Sequence, residues 1–169
     1  PGVHSKIRSV EAAAKAVKEA CEMAKESGAR LHVAHLSSEA ELDILEQFPD
    51  VTCEVTPHHL TLCEDDYEVL GNKIKVNPPV RDRGDVFALW KGVKMGEIDI
   101  IASDHAPHTI EEKAETYEKA PSGVPGVETL LPLLLNEVNH GRLTLERLVA
   151  VTSTNAAQIF GLPQKGVIA

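Results

Sequence analysis

Ile98-Asp99-Ile100-Ile101-Ala102-Ser103-Asp104-His105-Ala106-Pro107-His108 decides how this chain is read. An apolar run ends abruptly in an acid and two histidines. A short apolar run bounded in this way suits a strand buried in a parallel sheet. In α/β sheets and barrels, chemistry gathers at the carboxyl ends of such strands. Asp104 is the carboxylate at that end, set between the apolar run and an Ala-Pro turn.

Two segments upstream repeat the arrangement. Leu31-His32-Val33-Ala34-His35-Leu36 reads as a strand, with Leu31, Val33 and His35 on one face and His32, Ala34 and Leu36 on the other. Val51 to Thr56 is rich in β-branched residues and runs into Pro57-His58-His59. Helical patterns alternate with these strands. From Ser9 to Ser27, Val10, Ala13, Ala14, Val17, Ala20, Cys21 and Ala24 recur at helical spacing, with Ser9 as N-cap and Gly28 as stop. Glu39 to Phe48, capped by Ser37-Ser38, and Asp85 to Met95 are further helices. Glu64 to Leu70 reads as a short helix or loop, and Lys73 to Arg81, with its Pro78-Pro79, as extended chain.

Thr109 to Gly126 reads as a long charged connection containing Pro121, Gly123, Pro125 and Gly126. Such loops in compact domains are commonly functional, and a lid role is the expectation. Glu128 to Asn139 follows as an apolar helix interrupted by Pro132, and Thr144 to Phe160 as a helix or helix pair. The order β–α–β–α–β–α is the pattern of an α/β parallel sheet. Three strands cannot close an eight-stranded barrel, but they can form a segment of one.

The charge balance excludes some functions. The 169 residues carry a net charge of −9, without a basic block, against the basic face that nucleic acid requires. No apolar stretch approaches the ~20 residues of a transmembrane helix. The three cysteines, Cys21, Cys53 and Cys63, form no CxxC pair, which fits a reducing cytoplasm better than a disulfide scaffold. Cys21 reads as a small core residue. Pro1 to Ser5 lacks the pattern of a secretory leader, so none is expected.

His35, His58, His59, Asp104, His105 and His108 all fall at or just after strand ends. Imidazole and carboxylate are donors suited to zinc. A metal ion can lower the pKa of bound water from 15.7 to about 7, and a carboxylate beside that water can take its proton and return it to a leaving nitrogen. Asp104 has the chemistry for both ligand and general base. Zinc needs three or four protein ligands, and only His35 and Asp104 are well placed, so the residues alone give half a metal site. Neighbours on a strand face opposite ways, which makes one of His58 and His59 structural. Asn77 reads as a turn amide, His32 as structural, and His140 as a residue at a helix C-terminus. The sequence assigns no role to His4.

Several motifs, in order, resemble the dihydroorotase family of the amidohydrolases, in its larger (type I) form. They are Leu31-His32-Val33-Ala34-His35-Leu36-Ser37-Ser38, Glu54-Val55-Thr56-Pro57-His58-His59-Leu60, Lys75-Val76-Asn77-Pro78-Pro79-Val80-Arg81, Ser103-Asp104-His105-Ala106-Pro107-His108 and Gly123-Val124-Pro125-Gly126-Val127-Glu128-Thr129. Allantoinases and dihydropyrimidinases or hydantoinases share part of this set. The combination of Asn77-Pro78-Pro79 with the Asp104 to His108 motif resembles dihydroorotase instead.

The resemblance implies an α/β fold that is part of a (β/α)8 TIM barrel, approximately strands 6–8 and their helices, truncated at both ends. On this reading residues 1–165 are the C-terminal part of a metal-dependent amidohydrolase barrel, and 166–169 begin a return to a small β-sandwich. The implied activity is interconversion of N-carbamoyl-L-aspartate and dihydroorotate in pyrimidine synthesis, through zinc-activated hydroxide. His35 matches a histidine that holds one zinc, and Asp104 an aspartate that binds the other and shuttles the proton. Asn77 and His108 match residues that contact the anionic substrate. Ser122 and Gly123 match the loop whose backbone holds its ring, although the family often has Phe where Ser122 stands. Glu54 and His58 lie in a family motif without an assigned role.

The resemblance places the family's other metal ligands before Pro1, so these 169 residues alone are expected to lack turnover. The implied partners are the small-molecule substrate and, beyond it, a second copy of the protein or aspartate transcarbamoylase. A non-catalytic scaffold for that enzyme is the alternative in a different class. Retention of His35, Asp104 and His108 argues against it.

Overall fold

The computed structural model describes residues 2–167. Its centre is a three-stranded parallel sheet, β1 (His32–Leu36), β2 (Thr52–Val55) and β3 (Ile100–Ile101), in the order β1-β2-β3. The residues that read as strands by composition are the ones that pair, and each pair is joined by a helical crossover. This is the mixed α/β arrangement that the alternating pattern implies. The register is direct: Leu36 lies opposite Val55, and Val55 opposite Ile101. The carboxyl ends of all three strands therefore finish at one level.

Helix α1 (Val10–Ser27) begins where its cap predicts. The Ser9 hydroxyl accepts from the Ala12 N–H, and Gly28 ends the helix in the left-handed conformation. It packs on α2 (Glu39–Leu45). Helix α3 (Pro57–Thr61) starts directly after β2, so His58 and His59 are neighbours on a helical turn and not on a strand. Pro57 stands in its first turn, where a missing N–H is harmless. Helix α4 (Arg83–Met95) leads back to β3, and Trp90 on it donates its indole N–H to the Leu60 carbonyl at 2.6 Å. Val17, Cys21, Leu36, Cys53, Val55, Leu89, Val93, Ile98 and Leu148 share the main core behind the sheet.

Four expectations need correction. The charged connection after Asp104 contains a helix, α5 (Ile110–Ala114), closed by a capping box between Thr109 and Glu112. Pro132 does not interrupt α6 (Leu130–Asn139); it lies in the first turn, where no intrahelical bond is lost. Lys73 opens no extended segment, because Gly71–Ile74 is a 3-10 turn. Finally, β1 does not alternate strictly. Its pairing shifts between Val33 and Leu36, so both meet the core, and His35 sits beside this irregularity. The last helical stretch, Leu145–Val149 to Asn155–Ile159, is joined through a π turn at Ala150–Thr154. The expected re-entry strand at 166–169 shows only bends at Gly166 and Val167, and the remainder lies outside the described residues. No helix among the described residues is long and apolar enough to cross a membrane.

Candidate active site

Two groups of polar residues meet at the carboxyl ends of the strands. The first contains His35, His58 and Asp104. His35 is the last residue but one of β1, Asp104 follows β3 by three residues, and His58 lies just beyond β2. His35 and Asp104 both have left-handed backbones, with φ of 43° and 44°. Side-chain-bearing residues enter this region at an energetic cost, and such strain clusters at functional sites. Asp104 is exposed and His35 half-buried, so both remain open to a ligand.

The structure separates the two adjacent histidines. His59 is structural: its Nδ1 pairs with the Thr56 hydroxyl at 2.7 Å, and its Nε2 donates to the Pro78 carbonyl at 3.0 Å. His58 is the one left over. Its Nε2 is buried without a hydrogen-bond partner among the described residues. Burial pushes the His58 pKa down to about 4, against the pull of the Asp104 carboxylate, with His35 pushing the same way as burial. A neutral imidazole nitrogen, orphaned beside His35 and Asp104, matches the donor chemistry of a zinc site. The number of donors does not complete one. Among the described residues no three His, Cys, Asp or Glu side chains converge as a metal-binding group.

Backbone contacts tie the second group to the first. The Ala106 N–H donates to the Val124 carbonyl at 3.0 Å, and His105 forms a parallel bridge with Val124. His105 therefore belongs to the scaffold, and its Nδ1 accepts from the Val127 N–H. His108 Nε2 donates to the Ser122 carbonyl at 3.2 Å. Gly123 has φ of 137°, and a Cβ there would lie 2.6 Å from Ala106 Cβ and 3.3 Å from His108 Cδ2. At Gly126 a Cβ would lie 2.5 Å from the Ser103 carbonyl oxygen. Both glycines let the 123–126 backbone approach the Asp104 segment. The Ser122 carbonyl, the Gly123 N–H and the Gly123 carbonyl all have partners inside the chain. Gly123 and His108 also line a cavity of about 540 Å³.

Asn77 is exposed, and its orientation is set by a residue that the sequence left unread. His4 is 2% exposed. Its Nε2 faces two acceptors, the Val76 carbonyl at 2.9 Å and Asn77 Oδ1 at 3.1 Å. Nε2 therefore carries the proton, and Nδ1 accepts from the Tyr117 hydroxyl at 2.8 Å. Burial lowers the His4 pKa and favours this neutral ring. With Oδ1 engaged, the Asn77 amide presents its NH2 group away from His4. The partners lie over seventy residues away in sequence, which is why no local signal marks His4.

Arg81 and Glu41 are two further residues to which the sequence assigns no role. Arg81 is buried and donates to the Ser37 hydroxyl and to the carbonyls of Ser5, Arg8 and Ser9. Glu41 accepts from the Ser37 N–H and from the Ser37 and Ser38 hydroxyls. Ser38 therefore serves Glu41 and makes no side-chain cap of α2. Together these bonds fix the chain leaving His35. His32 pairs with Thr52 and with Glu54 at 3.1 Å, a structural role for both His32 and Glu54. The cysteines are free and buried, and burial pushes the Cys53 thiol up to about 12, so it is no nucleophile.

No protein-family model matches the chain. Similar proteins are nevertheless plain. A dihydroorotase of Halobacterium salinarum is 48% identical over 165 residues, 98% of this chain and 39% of that protein. A dihydroorotase of Methanosphaera stadtmanae is 45% identical over 168 residues, 98% of this chain and 38% of that protein. Among solved structures, the L-hydantoinase (dihydropyrimidinase) of Arthrobacter aurescens superposes with a TM-score of 0.90 at 39% identity, over 95% of this chain and 38% of that one. The D-hydantoinase (dihydropyrimidinase) of a Thermus species gives 0.94 at 30% identity, over 100% and 40%. The chain thus spans about two-fifths of the length of these relatives.

Proposed function

The chain is homologous over nearly its whole length to part of the dihydroorotases, and from that premise we propose that the full-length protein is a cyclic amidohydrolase that opens and closes dihydroorotate. The three strands are then a segment of a larger (β/α)8 barrel. The observation that supports this most directly is the left-handed backbone at both His35 and Asp104, on strand ends held level by the sheet register. An imidazole and a carboxylate on these strained backbones, both close enough to His58 to act on its charge, support the reading.

In the proposed reaction the Asp104 carboxylate accepts a proton from the attacking water. It returns that proton to the ring nitrogen as the carbon–nitrogen bond breaks. In the reverse direction the same carboxylate takes the proton from the carbamoyl nitrogen. His35 and Asp104 would hold zinc together with donors from outside these 169 residues, and the ion would supply Lewis acidity. The Asn77 amide, turned by His4, offers N–H donors to an anionic substrate. His108 and Gly123 would form a further wall of the substrate site.

A second reading, hydrolysis of a hydantoin or dihydropyrimidine, is favoured by the superposition on hydantoinases. Turnover of dihydroorotate by full-length protein, followed with and without chelator, tests the proposal. Zinc-dependent turnover that is lost in Asp104→Asn is the expected result. Undiminished turnover in that variant overturns the role given to Asp104.

A further inference from the structure

Two buried lysines fix the 115–124 segment. Lys113, on α5, donates from Nζ to the carbonyls of Lys75 (3.0 Å), Pro121 (3.0 Å) and Gly123 (2.9 Å), which uses all three ammonium hydrogens. Lys75 donates from Nζ to the carbonyls of Tyr117 and Ala120, each at 2.6 Å, and the Lys75 carbonyl accepts from the Gly123 N–H at 2.9 Å. The two side chains are only 8% and 9% exposed. Among the described residues neither has a carboxylate partner, and burial, with Lys75 as the neighbouring like charge, pushes the Lys113 pKa down to about 8.

Burying an ammonium group without a counter-ion is costly, and here carbonyl dipoles offset that cost, helped at Lys75 by the Tyr117 ring, whose centroid lies 4.6 Å from Nζ. Those carbonyls belong to the wall of the site. Without the Lys113 bonds, the Gly123 seat against Ala106 and the Ser122 carbonyl before His108 Nε2 would rest only on the Gly123 N–H bond to Lys75 and the pairing of Val124 with His105 and Ala106. We propose that Lys113, backed by Lys75, is a positioning residue that makes the 120–124 backbone a fixed wall of the site instead of an opening lid, and so keeps His108 and Gly123 placed for an anionic ring. The identity of that ring rests on the dihydroorotase reading; the clamp itself does not.

The test uses full-length protein with Lys113→Met, which keeps the aliphatic stem, and Lys113→Arg, which keeps the charge. A planar guanidinium fork cannot donate to three carbonyls that converge on one atom. Amide hydrogen exchange without substrate should quicken by about tenfold or more across 115–124 in both variants, and stay unchanged across 10–27. The KM for dihydroorotate should rise by about tenfold or more in both, because the backbone that seats His108 and Gly123 is no longer ordered before substrate arrives, with kcat and zinc content retained.

Unchanged exchange across 115–124 in Lys113→Met overturns the clamp, as does wild-type behaviour in Lys113→Arg. An unchanged KM overturns its role at the site. If Lys113→Met does not accumulate, the same two readouts on Lys75→Met decide the matter. If wild-type protein does not turn over dihydroorotate, the substrate reading fails, and the exchange data still decide the clamp.

Discussion

Replacing Gly123 by Ala tests how closely the 123–126 backbone is held against the Asp104 segment. The new Cβ would lie 2.6 Å from Ala106 Cβ and 2.7 Å from the Ala106 carbonyl oxygen. Carbon atoms prefer about 3.5 to 4.0 Å, so something must move by about 1 Å. Relieving such overpacking typically costs about 1–3 kcal/mol. The backbone angle, φ of 137°, adds strain for any residue with a side chain, again about 1–3 kcal/mol. The sum, about 2–6 kcal/mol, is a large share of the ~5–15 kcal/mol that holds a typical domain. At about 1 °C per kcal/mol, the scale for a chain of roughly 400 residues, thermal denaturation of the full-length variant should show Tm lowered by about 2 to 6 °C. The KM for substrate should rise as well, because the displaced backbone carries the His108 acceptor. Ser122→Ala, one residue away, makes no such contact and should stay within about 0.5 kcal/mol of wild type. A Gly123→Ala protein as stable as wild type, with unchanged KM, would refute the close approach.

Arg81→Met should destabilise by about 3–5 kcal/mol in chemical denaturation, because the carbonyls of Ser5, Arg8 and Ser9 and the Ser37 hydroxyl all lose their buried donor. Asp104→Gly should abolish turnover while raising stability by about 1 kcal/mol, since glycine adopts φ of 44° without strain; a less stable variant contradicts the strain argument. Burial keeps His4 neutral in the folded protein, so its folded pKa lies below the unfolded 6.5. The unfolded chain therefore binds the extra proton as pH falls below about 6.5, and stability declines there. His4→Gln should flatten that part of the stability–pH curve relative to wild type, and an identical curve would show that His4 does not titrate this way.

Legibility in the sequence followed the range of the interactions. Helix α1 could be read from residue spacing and from its two caps, because these signals lie within the helix itself. His35 and Asp104 could be picked out as donors at strand ends. Their left-handed backbones could not, since no local signal marks them; the one at His35 sits where β1 slips register against β2, and the one at Asp104 follows the end of β3. The capping box at Thr109 and Glu112 was present in the sequence, yet the surrounding glycines and prolines masked the short helix it starts. His58 and His59 are distinct because β2 stops at Val55 and a helical turn begins at Pro57, which strand alternation does not foresee. His4, Arg81, Lys75 and Lys113 work through contacts with backbone that is distant in sequence or held by tertiary structure, and a buried lysine reads in sequence like any surface lysine.

Action of the full-length protein on dihydroorotate is the part of the proposal that one assay can decide. Its kcat/KM for dihydroorotate, measured beside those for hydantoin and dihydrouracil on the same zinc-loaded preparation, tests this most directly. Dihydroorotate, whose carboxylate the Asn77 amide can bind, should be preferred by at least about 100-fold, well within the discrimination open to a site that hydrogen-bonds a substrate group. Equal or better turnover of the uncharged rings would contradict it and give the protein to the hydantoinase side of its relatives.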